Sequence, residues 1–482
     1  MDEDYKLAKE AFVAGLEGTS AREVFLVFAI APGSVWLYSE LLLLLEVVGL
    51  RPLGANEHLH LVVQILLEFV VTVVPTMIGF TFTEYTVPML SMVYCFAAML
   101  CALSWHHAKE YIHKHCRKEK MNQLLEKELP FLTNFRAQIM LSTCFAILAV
   151  DFTIFPRRFA KTENYGFSVM DIGVGAFIIS SAIVSAPARQ VRSSVVTKRS
   201  QSGCTSSHSF AKKCYNFLRP IALVLVFGIA RFLTVKGVNY QEHVSEYGVH
   251  WNFYFTLAGV YLVYSFLRTL GKWATSPVVA ISIVLGYQVY LSQCGGEKYI
   301  LHAPRGDDLM SQNREGILSL AGYASLYMLS VNAGQRIFAN IDAYGSKAQR
   351  NMRWLVITLL AVTVMLWLST YLSVRLVTRP SRRMLNMSYL LWVLAESASL
   401  LAIYCVVQTV CILPRVPLLF QGINHNQLFV FIVANLMTGA VNLSMHTIHT
   451  KPAGASVVLL FYMLAVCVLA SVLQHSHIRI KL

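Results

Sequence analysis

The sequence predicts an all-α protein that crosses a membrane many times, a polytopic integral membrane helical bundle. Of its 482 residues, 56% are hydrophobic and only 14% are charged, whereas about 25% of the residues in a soluble domain are charged. Apolar runs of about 20 residues, the length that crosses a bilayer as a helix, recur along the whole chain. These runs lack the two-residue alternation of a membrane barrel, so helices must satisfy the backbone hydrogen bonds.

We predict about 13 transmembrane helices, which make residues 1–482 a single membrane domain. The first begins with a capping box, Ser20 with Glu23, and should kink at Pro32-Gly33. The fourth should end at Pro156. The approximate limits of the spans are 24–49, 59–80, 85–105, 135–155, 167–187, 217–235, 251–270, 274–293, 316–338, 353–375, 386–411, 426–447 and 454–474.

The positive charge of the chain predicts its orientation. The net charge is +14, but the basic residues form short clusters between apolar runs, which favours membrane-flanking charge over nucleic-acid binding. Two longer basic loops, 106–130 and 188–216, both follow odd-numbered spans and therefore share a face. Because Lys and Arg are more numerous on that face, we predict that it is cytosolic, with the N-terminus lumenal and the C-terminus cytosolic.

Several common chemistries have no support in the sequence. It contains no nucleotide-binding loop, GxSxG elbow, HExxH pair or paired CxxC, which excludes simple versions of ATP-driven transport and of serine or zinc hydrolysis. The ten cysteines lie mostly in or beside apolar runs and in basic loops, so we predict reduced thiols rather than a disulfide framework.

A first polar segment, residues 147–175, places carboxylates and cations near the predicted lumenal surface. Asp151 near the end of the fourth span is followed by Arg157, Arg158 and Lys161, and Asp171 enters the next span. A carboxylate at membrane depth must be paired, protonated or facing a wet cavity. Two interpretations stay open: a structural Asp–Arg clasp between helix ends, or a base beside a cationic cluster.

A second polar segment covers residues 231–257. Glu242 and Glu246 are four residues apart and would share a helix face, with His243 and His250 on either side. His and Glu are zinc ligands, but this spacing matches no ligand pattern, so we predict no metal. We expect these side chains to line a lumenal cavity.

Both segments resemble the signature regions of a known enzyme family. "AILAVDFTIFPRRFAKTENYGFSVMDIGVGAF" and "YQEHVSEYGVHWNFYFTL" resemble the inositol acyltransferase family of GPI-anchor biosynthesis, the phosphatidylinositol-glycan class W type. Supporting matches extend along the chain, in "KEAFVAGLEGTSAREV" (9–24), "NREGILSLAGYASLYML" (313–329) and "FVFIVANLMTGAVNLSMHTIHT" (429–450). The two basic loops are the parts without a match.

The resemblance implies an acyl-CoA-dependent O-acyltransferase of the endoplasmic reticulum membrane. Such an enzyme moves a fatty acyl chain, typically palmitoyl, to the inositol 2-hydroxyl of glucosaminyl-phosphatidylinositol on the lumenal side. It also implies that Asp151 and Lys161 are the catalytic residues. Acyl transfer needs a base and a positive group for the thioester oxyanion, which fits an acid and a lysine.

The remaining site residues are predicted to bind substrate. Arg157 and Arg158 would hold the lipid phosphate. The other substrate-binding candidates are Asp171, Glu242, His243, Glu246 and His250. No tightly bound cofactor is expected, acyl-CoA is a co-substrate, the partners are the glycolipid and the membrane without nucleic acid, and the oligomeric state is not predicted.

Two other classes of protein fit parts of the sequence. A secondary transporter or lipid scramblase would also have many spans and intramembrane charges, but no inverted repeat is apparent and the polar motifs cluster at one surface. A different acyltransferase family, centred on a buried histidine, has only His446 as a good candidate.

Overall fold

The computed structural model describes residues 3–48, 57–115, 129–189, 221–233, 244–342, 348–411 and 413–480. These residues are mostly helical, with an antiparallel bridge between Thr19 and Phe167. The helices are α1 Glu3–Val13, α2 Ala21–Phe28, α3 Ile30–Val47, α4 Glu57–Glu68, α5 Val74–Thr81, α6 Thr86–His115, α7 Pro130–Ala149, α8 Val169–Ala182, α9 Ile221–Leu233, α10 Val244–Tyr247, α11 Phe253–Thr269, α12 Pro277–Gln293, α13 Gly296–His302, α14 Leu309–Gln312, α15 Arg314–Leu318, α16 Leu320–Asp342, α17 Ala348–Leu376, α18 Met387–Val410, α19 Leu418–His425, α20 Gln427–Ser444 and α21 Pro452–His475.

The predicted class, an all-α polytopic membrane protein, is confirmed. Within the described ranges, nine helical segments are long and apolar enough to cross a membrane. The pair α12 and α13, bent by 71°, would make a tenth. Helices α8 and α9 are apolar but shorter, so the number thirteen stays a prediction.

Burial divides the helices into an inner and an outer set. The most apolar window of α7 is 78% buried, and those of α18 and of the first span are each 72% buried. The windows of α6 and α17 are only 17% buried, so these helices line the periphery. Gly175 of the inner helix α8 allows close packing, because a Cβ there would lie 2.7 Å from Val393 Cγ1 of α18.

The first span is interrupted one helical turn before Pro32. Helix α2 ends at Phe28, and α3 begins at Ile30. Pro32 has no N–H to donate to Phe28, and Gln138 Nε2 donates to that carbonyl instead at 2.6 Å. The predicted helix start is confirmed in part: the Glu23 N–H donates to Ser20 Oγ at 3.2 Å, while the Glu23 carboxylate binds Arg158.

The predicted end of the fourth span at Pro156 is wrong. Helix α7 starts with Pro130 in its first turn and ends at Ala149, so its 20 residues already reach across the bilayer. Asp151 therefore lies just beyond the helix and not inside it. Arg157 Nη1 donates to the Val150 carbonyl at 3.0 Å, which supplies a partner at a helix end that would otherwise lack one.

Interhelical segments meet at two opposite faces, which lie at the two ends of helix α7. At one, which we call the loop face, Thr19 N donates to Phe167 O at 2.7 Å, and Gly166 N donates to Pro380 O at 2.9 Å. At the other, Phe131 N donates to Gln408 Oε1 at 3.0 Å. Asp151 and Lys161 both lie at the loop face, which we predict to be lumenal.

The orientation can be tested with two native cysteines. Cys294 is exposed beside the loop face, and Cys204 belongs to basic loop 188–216, outside the described residues. In variants that keep one of them as the only reactive thiol, an impermeant maleimide added to intact microsomes should label Cys204. Cys294 should react only after the membrane is permeabilised. Labelling of Cys294 in sealed vesicles would contradict the orientation.

Candidate active site at the loop face

The loop that carries the predicted catalytic residues is held by Arg157. In addition to Val150 O, its guanidinium donates to the carbonyls of Phe152 at 3.0 Å and Phe155 at 2.8 Å. Its other side covers the ring of Phe12, 3.9 Å from the ring centroid. Burial lowers the pKa of Arg157 to about 10 while Asp151 raises it, so the group stays cationic. These contacts use most of its donors, and the predicted phosphate contact stays a prediction.

Asp151 lies in a buried cluster of three side chains, which we call the Asp151 cluster. Lys9 Nζ of α1 lies 3.4 Å from Asp151 Oδ1, and Asn442 Nδ2 donates to Asp151 Oδ2 at 2.8 Å. Lys9 Nζ also donates to Asn442 Oδ1 at 2.6 Å. Asp151 is 6% exposed and Lys9 is 2% exposed. The ion pair of Asp151 is thus with Lys9 and not with a neighbouring arginine, so the predicted clasp does not form at this residue.

Lys161 lies in a second cluster, which we call the Lys161 cluster, made with Glu246, Arg382 and Asp171. Its Nζ donates to both carboxylate oxygens of Glu246, at 2.7 and 2.8 Å. Arg382 Nη1 lies 3.1 Å from Glu246 Oε1, and Arg382 Nε lies 2.9 Å from Asp171 Oδ1. The Lys161 side chain is 40% exposed, whereas that of Arg382 is 6% exposed. Lys161 is therefore the member of the cluster that a substrate can reach.

Burial and neighbouring charges in the Lys161 cluster shift the pKa values of Glu246 and Lys161. Burial would raise the pKa of Glu246, but Lys161 and Arg382 outweigh it and hold that pKa at about 2. Burial among protein atoms lowers the pKa of Lys161, and the Glu246 carboxylate offsets part of the change. At neutral pH Glu246 is therefore an anion that keeps the Lys161 ammonium in place.

Asp171 belongs to the Lys161 cluster through its ion pair with Arg382. It is fully buried in the first turn of α8, and its backbone N–H donates to Ser168 Oγ at 3.1 Å. Its carboxylate accepts from Thr162 Oγ1 at 2.7 Å in addition to Arg382. Because no part of it faces an opening, its influence on a substrate would pass through Arg382.

The remaining predicted residues are dispersed or lie outside the described ranges. Arg158 pairs with Glu23 at 2.8 Å, and its side chain is 45% exposed. His250 donates its backbone N–H to Asn313 Oδ1 at 2.8 Å, and its buried Nδ1 has no partner among the described residues. Glu242 and His243 lie outside the described residues.

Two further observations concern His446 and a cavity between the helices. His446 is exposed and packs edge-on against Tyr5, with ring centroids 4.4 Å apart, so a reaction centred on a buried His446 is ruled out.

A cavity between the helices, lined by Thr76, Gln138 and Ser142 among others, has a volume of about 20 Å³. That volume suits a water molecule and not a long alkyl chain. Over the described part of the chain, no group of three or more His, Cys, Asp or Glu is placed to hold a metal.

The sequence does not mark Lys9 or Asn442 as site residues, and it does not connect Arg382 with Lys161. Lys9 and Asn442 lie inside the matched segments 9–24 and 429–450. A lysine that follows an acidic start is common on any surface helix, so nothing local marks Lys9 as buried. Its polar partners come from residues far along the chain.

The bundle and its charged loop face define a polytopic α-helical membrane protein with a polar site at one membrane surface. A family model described as GWT1 matches residues 5–473. The chain belongs to the GWT1 family.

Similar proteins align along the whole chain. The GPI-anchored wall transfer protein 1 of Aspergillus fumigatus is 35% identical over 520 residues, covering 100% of this chain and 99% of that protein. The phosphatidylinositol-glycan biosynthesis class W protein of Dictyostelium discoideum is 32% identical over 511 residues and covers both chains completely. The GPI-anchored wall transfer protein 1 of Schizosaccharomyces pombe is 32% identical over 492 residues, with 99% of this chain covered. The resemblance found in the sequence is confirmed at the level of the family.

Proposed function

We propose that this protein is an acyltransferase of GPI-anchor biosynthesis. It would move a fatty acyl chain, typically palmitoyl, from acyl-CoA to the inositol 2-hydroxyl of glucosaminyl-phosphatidylinositol, at the lumenal face of the endoplasmic reticulum membrane. The observation that carries the proposal is the end-to-end similarity to a protein named for phosphatidylinositol-glycan biosynthesis. The arrangement of Asp151 and Lys161 on one loop at one membrane surface supports it.

Asp151 is proposed as the general base. It would take the proton of the 2-hydroxyl while that oxygen attacks the thioester carbonyl. Lys9 contacts one oxygen of the Asp151 carboxylate, and Asn442 donates to the other. Each carboxylate oxygen can accept further hydrogen bonds. When the tetrahedral intermediate collapses, the C–S bond breaks and the same proton passes from Asp151 to the CoA sulfur, which leaves as the thiol.

Lys161 is proposed to stabilise the oxyanion of that intermediate. An ammonium carries three donors, and Glu246 engages it through two oxygens. The exposed part of the side chain can present the remaining positive charge to the reacting carbonyl oxygen. Glu246 and Arg382 act as positioning residues for Lys161. No resident cofactor takes part in this scheme, and acyl-CoA is consumed as a co-substrate.

The substrate contacts follow from what remains accessible. Arg158, with nearly half of its side chain exposed, is better placed than Arg157 to meet the lipid phosphate. The buried Nδ1 of His250, which has no partner among the described residues, is proposed to bond a sugar or inositol hydroxyl. Glu242 and His243 precede Glu246 and are proposed to line a lumenal cavity together with His250.

A transfer assay distinguishes this function from lipid movement without chemistry. Purified protein in liposomes receives acyl-labelled CoA and glucosaminyl-phosphatidylinositol. We expect the label to appear in the glycolipid in an alkali-labile ester, with free CoA released in equal amount. Redistribution of the glycolipid between leaflets, with no label transferred, would contradict the proposal and favour a scramblase.

A further inference from the structure

The amino-terminal helix α1 presents one face to the Asp151 cluster. Tyr5, Lys9 and Phe12 follow a spacing of four and three residues, which puts them on one side of a helix. The Tyr5 hydroxyl lies 3.3 Å from Thr447 Oγ1, and the Phe12 ring lies under the guanidinium of Arg157. Lys9 lies between these two anchors and points at Asp151. The opposite face of α1 is exposed, with Leu7 61% accessible.

Lys9 is a lysine in a place where lysines are rare. Lysine is almost never fully buried unless it is paired, and a buried ion pair recovers its desolvation penalty only with good geometry and further hydrogen bonds. Here Lys9, Asp151 and Asn442 form a closed triangle in which each side chain contacts the other two. An apolar side chain would anchor α1 as well, so docking alone does not explain a charge at this position.

Among the described residues, Lys9 is the cation that forms an ion pair with the Asp151 carboxylate. The guanidinium of Arg157 donates to backbone carbonyls of the loop and not to Asp151. His446 and His449 pack around the Tyr5 ring, at 4.4 and 5.9 Å between centroids, and both are exposed. Tyr5 itself directs its hydroxyl to Thr447.

We propose that Lys9 is a positioning residue for Asp151, so that helix α1 is part of the active site. The inference rests on the proposed function, in which Asp151 is the base. Through the ion pair, Lys9 holds the Asp151 carboxylate in place from the side of α1. Together with Asn442 it also fixes the orientation of both oxygens, so that the free lone pairs face the acceptor hydroxyl.

The test compares variants of the full-length purified protein. Lys9→Met keeps the length of the side chain and removes its charge, and Lys9→Arg keeps the charge. Lys298→Met is the matched control, because Lys298 is exposed on the same face. We expect Lys9→Met to lower kcat by about tenfold to a hundredfold, the effect of a misplaced reacting group. The KM for acyl-CoA should be unchanged, Lys9→Arg should recover much of kcat, and Lys298→Met should match the wild type.

The kcat of the folded protein separates positioning from a structural role. In folded Lys9→Met the Asp151 carboxylate keeps Asn442 and loses Lys9, so kcat should fall even when the amount of folded protein matches that of the wild type. A lysine that only anchors α1 would lower the amount of folded protein and leave its kcat at the wild-type value. If Lys9→Met does not fold, Lys9→Gln, whose side chain is shorter and uncharged, gives the same comparison.

The outcomes also separate this inference from the proposed function. Wild-type kcat in folded Lys9→Met or Lys9→Gln would overturn the role of Lys9, while loss of activity in Asp151→Asn would leave the function standing. No acyl transfer by the wild-type protein would overturn the function itself.

Discussion

Acyl transfer should fall by at least about a hundredfold when Asp151 is replaced by asparagine, since a general base contributes about 10²–10⁴-fold. Asparagine keeps the shape of the side chain and can still accept a hydrogen bond from Lys9. It cannot take up the proton of the attacking hydroxyl. The rate should be measured as specific activity of monodisperse protein, with binding of acyl-CoA measured separately and expected to persist.

The competing explanation for such a loss is structural. Asp151→Asn leaves the Lys9 ammonium buried without its anion, and breaking a buried pair in this way costs about 3–5 kcal/mol. A purely structural pair predicts low yield with normal specific activity in the protein that remains. Asp307→Asn, which changes an exposed carboxylate on the same face, is the control. Full specific activity of Asp151→Asn would exclude the catalytic role.

Lys161→Ala should give the second large effect, a loss of about a hundredfold or more, because removing one donor to an oxyanion has that consequence. Lys161→Arg should be partly impaired, since it keeps the charge but not the compact ammonium. The measurement is kcat at saturating acyl-CoA. Wild-type kcat in Lys161→Ala would contradict the oxyanion role, and a raised KM for the glycolipid alone would indicate that Lys161 binds the phosphate.

Removal of Lys161 could also affect folding, and a second variant controls for that effect. Glu246 would keep Arg382 as its partner at 3.1 Å, so its charge is not stranded. The variant Lys161→Ala should therefore fold. Lys298→Met, which removes an exposed charge at the loop face, gives the baseline for losing one lysine there.

The class of fold was predictable because composition and span length constrain a membrane protein strongly. Helix ends were less predictable, and the fourth span shows why. Pro156 suggests an end that the chain reaches seven residues earlier, at Ala149, where Arg157 of the following loop donates to the Val150 carbonyl. Pro32, in contrast, did predict a break in the first span, displaced by one helical turn to the residue whose carbonyl it leaves unbonded.

The charged residues of the candidate site could be identified from the sequence, but their contact partners could not. The carboxylates and cations of segment 147–175 were recognised, whereas their pairing depends on tertiary contacts. Asp151 meets Lys9, and Lys161 meets Glu246 85 positions further along. Arg157 is predicted to bind phosphate, and its guanidinium also holds the loop through backbone carbonyls that no sequence pattern displays.

The central claim is that an acyl group goes from CoA to one hydroxyl of the inositol ring, and the position of that group in the product tests it most directly. Purified wild-type protein should be given acyl-CoA with glucosaminyl-phosphatidylinositol, and in parallel with an analogue whose inositol 2-hydroxyl is methylated. Fragmentation of the product by mass spectrometry then locates the chain. We predict one acyl group on the inositol of the natural acceptor and none on the analogue. An acyl group on the glucosamine, or equal acylation of the analogue, would contradict the account.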